Sequence, residues 1–167
     1  MASLVVKIML SFMAFLFFGC GNNPVDIVKN GTLDIDKSVS IGNAFEGYKY
    51  FYDKRWKTFA DPQQRTIVEF SSALRLDMQD VEKIFGVNSY LIQEMSKQTK
   101  SIVYTAQFKL NKDEPNKFNL AYSGIMISVN NGKSEEHKDN RGEYIRAIYN
   151  NEPLTVQLAY MLKRLLP

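Results

Sequence analysis

The sequence predicts an α+β fold: one domain with an antiparallel sheet of three to four strands and helices packed on one face. Three observations predict it. In residues 101–110, Ile102, Tyr104, Ala106, Phe108 and Leu110 alternate with Val103, Thr105, Gln107 and Lys109, the period of a half-buried strand. A polar stretch, residues 111–116, then separates that strand from a second apolar one, residues 117–130, as in a hairpin. Elsewhere apolar residues recur at helical spacing, as in Ile41, Ala44, Phe45 and Tyr48, and again in Leu154, Leu158, Met161, Leu162 and Leu165. A hairpin flanked by such stripes suggests a sheet covered on one side.

Each element has its own local signal. Residues 22–36 read as a tether with one helical turn over 24–29, ended by Asn30-Gly31. Ser40 can cap a helix over residues 41–50. Residues 56–59 form a short strand candidate, and Asp61-Pro62 a turn. Over residues 65–74, Thr66, Val68 and Phe70 share one strand face, with Ile67 and Glu69 on the other. Asp77 can cap a helix whose stripe is Met78, Val81, Ile84 and Phe85, with Gly86 as its terminating glycine. A second helical piece starts near Asn88 and carries Leu91, Ile92 and Met95. In the second hairpin strand the apolar phase changes around Gly124, which suggests a bulge or bend there. Residues 134–140 read as a charged loop and 143–150 as a short helix. Pro153 suits the first position of a final helix.

Composition narrows the functional classes. The chain has 167 residues, eleven Phe, nine Tyr, one Trp and a net charge of +3. Such aromatic content argues for a packed core and against disorder. The charge is too balanced for a nucleic-acid surface, and Glu46 and Asp53 interrupt the one basic-aromatic stretch, Lys49, Lys54, Arg55 and Lys57. A single cysteine, Cys20, excludes an intrachain disulfide.

The N-terminus carries the strongest functional signal. The apolar run of residues 8–18 follows Lys7 and stops at Gly19-Cys20, before the polar Gly21-Asn22-Asn23-Pro24. The run suits a signal-peptide core and falls short of the about 20 residues of a membrane span. A small residue directly before Cys, at the end of such a run, resembles the lipobox of bacterial lipoprotein precursors. The match covers Phe17-Phe18-Gly19-Cys20. Gly19 and Cys20 fit, whereas Phe17 and Phe18 stand where that family prefers Leu and a small residue. The resemblance implies cleavage between Gly19 and Cys20, an S-diacylglyceryl thioether on the Cys20 thiol, and N-acylation of Cys20. It divides the chain into a signal peptide (1–19), a lipidated N-terminus and tether (20–36) and a globular domain (37–167). Membrane lipid is then one partner, through the acyl chains, and an envelope protein a second. Gly21, rather than Asp, after Cys20 favours the outer over the inner membrane, with the domain facing the periplasm.

Val28 to Leu33, Ser40 to Phe45, Tyr48 to Phe51, Trp56, Phe59, Ile67 to Phe70, Tyr122 to Gly124 and Ile148 to Leu154 together resemble small proteobacterial lipoproteins, some carried on prophage islands. These motifs are of a packing kind, and no active-site residues follow from the resemblance.

Within the domain the chemistry-bearing residues are sparse. His137 is the only histidine, in a charged run, without a nucleophile-elbow motif. Asp77 with Asp80 reads as helix capping, and Asp34 with Asp36 resembles a calcium-loop fragment lacking the glycine and closing glutamate. No phosphate loop, catalytic set, metal site or cofactor is expected. Tyr48, Tyr50, Tyr52 and Trp56 form the candidate partner surface if they are exposed, since aromatics dominate interface energetics. A non-catalytic binding or structural lipoprotein is the leading expectation. The alternatives are a small carboxylate-dependent envelope hydrolase and an uncleaved signal-anchored periplasmic protein.

Overall fold

In the computed structural model, residues 23–75, 93, 96–114, 116–154, 158 and 164 are described. The order is α1 (Pro24–Asn30), α2 (Ile41–Gly47), β1 (Phe51–Ala60), β2 (Thr66–Leu74), β3 (Thr99–Leu110), β4 (Phe118–Val129), β5 (Ser134–Lys138) and α3 (Glu143–Tyr149). The five strands form one antiparallel sheet in sequence order. The α+β class and antiparallel sheet agree with expectation. The strand count does not, because residues 134–138 pair with β4 instead of looping. Their run of Ser, Glu, Glu, His and Lys hides the strand from a hydropathy pattern. An edge strand can be this polar because only one side of it is paired, and charge there discourages further pairing.

Cross-strand register decides which side chains share the core. Trp56 lies opposite Phe70 and Phe70 opposite Ala106, while Ser72 pairs with Tyr104, and Tyr104 with Ile125. These positions face the described helices. Phe45 of α2 sits at the centre, its ring 4.9 Å from Phe70, 6.0 Å from Tyr104, 6.1 Å from Phe108 and 6.2 Å from Trp56. The Phe70 and Tyr104 pairs are edge-to-face, an arrangement that adds to the burial energy. Ile145 and Ile148 of α3, with Leu154 and Leu158, complete the same core.

Local chemistry sets the helix ends. Asn23 accepts from Val25 N–H and Pro24 begins α1, as a proline at the first helical position should. Ser40 Oγ accepts from Asn43 N–H at 3.2 Å and starts α2. That helix stops at Gly47, short of the expected Tyr50. Tyr48 turns into the core, its hydroxyl donating to the Glu152 carbonyl at 2.8 Å. Beyond it, Phe51 begins β1, which starts earlier than the short strand expected from residue 56.

Two expectations are corrected here. The helical turn expected over residues 24–29 is present as α1, and it packs into the fold instead of lying in a tether: Val28 is fully buried, and Ile41 N–H donates to the Gly31 carbonyl at 2.8 Å. The irregularity in β4 lies before Gly124, where Gln107 pairs with Tyr122 but Phe108 with Leu120, leaving Ala121 as the extra residue. Gly124 itself is in register with Thr105. A Cβ on it would stand 2.3 Å from the Tyr122 hydroxyl, so the glycine makes room for that phenol. The helix expected over residues 77–86 lies outside the described residues, as does most of the final one; of the piece expected from Asn88, Gln93 and residues 96–98 are described and are helical.

Candidate functional site

Gly19 and Cys20, the expected cleavage and lipidation residues, lie outside the described residues. The four aromatic candidates do not share a surface. Tyr48 and Tyr50 are buried, Trp56 is half-buried against Phe70, and only Tyr52 is substantially exposed, at 43%. This corrects the expectation of a joint surface. The physical reason is the α2–β1 connection, which turns Tyr48, Tyr50 and Phe51 under the sheet, with Phe51 4.7 Å from Tyr48. Among the described residues, the buried Trp56 Nε1 has no hydrogen-bond partner, while Lys29 Nζ lies 5.7 Å from the ring centre.

Two adjoining hollows, each of about 240 Å³, flank residues 138–140. One is bordered by His137, Arg141, Glu143 and Tyr144, the other by Leu120, Tyr122 and Ser123. His137 is placed by β5, not by a loop, and its Nδ1 meets the Tyr144 hydroxyl. Asp139 follows β5 and receives three backbone N–H groups from α3: Glu143 at 2.7 Å, Tyr144 at 3.0 Å and Ile145 at 3.1 Å. Gly142, at φ +68°, precedes the helix and has no side chain to cap it, so Asp139 supplies the carboxylate from three residues upstream. Ser123 Oγ lies 3.4 Å from Asp139 and 3.0 Å from the buried Tyr104 hydroxyl. Burial pushes the Tyr144 phenol up to about 12. This resembles the ingredients of a triad but is wired differently. Asp139 binds the helix rather than orienting His137, and His137 meets a tyrosine rather than a serine. The chemistry of the cluster is helix anchoring.

The other face of the sheet carries a lateral polar ladder that sequence reading missed. Lys57 of β1 pairs with Glu69 of β2 at 2.8 Å, and Glu69 accepts from Gln107 of β3 at 2.7 Å. Gln107 stands opposite Tyr122 of β4, whose hydroxyl donates to Glu136 of β5 at 2.7 Å. Glu69 is only 9% exposed, which its two partners make tolerable. The available signal was the odd phase of β3, where Gln107 falls among residues facing away from the core.

Several other carboxylates are engaged locally. Hydrogen bonds from Ser38 hold the Asp36 carboxyl below its ordinary range, and Asp34 pairs with Lys37 at 3.2 Å. The Arg65 side chain and N–H do the same for Asp61. Glu135 pairs with Arg164 at 2.9 Å while Glu136 bonds to Tyr122, so these neighbours do not converge. Asp77 and Asp80 lie outside the described residues. Among the described residues, no group of three or more His, Cys, Asp or Glu side chains could hold a metal ion, and no helix is long and apolar enough to cross a membrane.

Set against protein-family models, curated proteins and solved structures, the chain matches none. The fold and its clusters define an α+β domain organised around an aromatic core.

Proposed function

We propose that this chain is a membrane-anchored envelope lipoprotein with a binding or structural role. The observation that carries the reading is the apolar run of residues 8–18 ending at Gly19 and the chain's single cysteine, Cys20. Lipidation accounts for an unpaired thiol in an exported protein. Two or three acyl chains hold a protein firmly, since each buried methylene contributes about 0.8 kcal/mol. Membrane lipid is the first partner and an envelope protein the second, with the outer membrane favoured and the domain facing the periplasm. The resemblance to small proteobacterial lipoproteins supports the same reading.

Intact mass of the protein from its membrane fraction tests it. A chain beginning at Cys20 and carrying a diacylglyceryl group, lost in Cys20→Ser, is the expected result. A full-length unmodified chain would refute the proposal and make residues 4–18 an anchor.

A further inference from the structure

We propose that the domain rides directly against the lipid headgroups, with the α1 end of the sheet toward the bilayer and the β4–β5 turn pointing away. The inference rests on the lipoprotein reading and adds an orientation to it.

The first observation is how soon the packed structure begins after Cys20. Only Gly21, Asn22 and Asn23 separate Cys20 from Pro24. Asn23 already caps α1 through its side chain. One helical turn on, Val28 is fully buried, and Lys29 pairs with Glu46 of α2 at 2.5 Å. Helix α1 also packs on β1 and β2. Fully extended, the link from Cys20 to Asn23 reaches about 11 Å. A domain of this size has a radius of gyration of about 15 Å. The leash is therefore shorter than the body it holds. A thioether-linked diacylglycerol places Cys20 at the headgroup level, so the domain cannot turn an arbitrary side to the membrane.

The second observation sets which end is near. The site of a Cβ on Gly31, just past α1, is 2.4 Å from the Phe118 ring. Phe118 begins β4, which runs 12 residues to Val129. At about 3.3 Å per residue the strand carries the chain some 36 Å, ending at the β4–β5 turn. Helix α1, at 7 residues, is only about 10 Å long. Pro24, where the link to Cys20 departs, is therefore within about 10 Å of Gly31 and nearer the Phe118 end of the sheet than the β4–β5 turn. The occupant of the α1 surface is a phospholipid headgroup layer, and the turn around Lys133 is the presented end.

The test uses the full lipidated protein in vesicles of phosphatidylethanolamine and phosphatidylglycerol containing a headgroup-spin-labelled lipid. With Cys20 blocked by its lipid, a second cysteine takes a fluorophore. Asp26→Cys, or Asn30→Cys if the first fails to fold, reports the α1 end, and Lys133→Cys the far turn. The expected result is quenching several-fold stronger at residue 26 or 30 than at 133. Inserting about twenty Gly and Ser residues after Gly21, a coil spanning about 25 Å, should erase the difference. Equal quenching at both ends in protein whose mass confirms lipidation would overturn the orientation alone. A mass without acyl groups would overturn the anchor and the orientation together.

Discussion

Replacing Phe45 by Ala is the sharpest probe of the core. The ring is fully buried and has five aromatic neighbours among the described residues, from Phe70 at 4.9 Å to Phe51 at 6.4 Å. Phe→Ala at such a site costs about 3–5 kcal/mol in lost transfer energy and residual cavity. The upper part of that range applies, because the neighbours come from three strands, β1, β2 and β3, and cannot all collapse into one void. A domain holds only about 5–15 kcal/mol in total, so the variant should be folded but much weakened. The assay is urea unfolding of the chain lacking residues 1–19, followed by fluorescence of Trp56. As the single tryptophan, 6.2 Å from Phe45, it reports this core without interference. With a slope of about 1.5–2 kcal/mol per molar urea, the midpoint should fall by about 2–3 M. Phe45→Leu should lose less than half as much. A loss below about 1 kcal/mol for the alanine variant would refute a core centred on Phe45.

Four further outcomes follow from the described contacts. Asp139→Ala strips α3 of the acceptor for three backbone N–H groups and should cost about 2 kcal/mol in urea unfolding, with Asp139→Asn milder. Gly124→Ala forces the Tyr122 phenol aside and breaks its bond to Glu136, at about 1–2 kcal/mol. In a Tyr122→Ala background the same change should cost less, and equal costs would rule out the proposed clash. Asp61 has a depressed folded pKa, so its contribution is present above about 4 and lost as pH falls further. The acid limb of a thermal-midpoint profile should therefore flatten in Asp61→Asn. Burial raises Tyr144 and Tyr149 to about 12. Above pH about 10 the unfolded chain loses these protons first, so stability should decline as pH rises, with a late phenolate phase in the ultraviolet titration.

Much of the architecture was legible because periodicity reports burial directly. The alternation in β3, the Ser40 cap of α2 and the short helix α3 each follow from one face being buried or one end being satisfied. What failed to appear in the pattern depends on partners distant in the chain. The β5 strand has no apolar phase because β4 supplies its ladder. Tyr48 and Tyr50 look like surface aromatics until the turn after α2 is placed, and Asp139 looks like a loop carboxylate until α3 docks above it.

By itself, the sequence determined the α+β class, the hairpin of β3 and β4, and the grouping of Gly19 and Cys20 behind an apolar run, since each is encoded by neighbours along the chain. The fifth strand, the burial of Tyr48 and Tyr50, the ladder from Lys57 to Glu136 and the role of Asp139 were decided only by tertiary structure. Each of those joins residues that only strand register and helix docking bring together. No local propensity encodes which of several polar side chains will find its partner across a sheet.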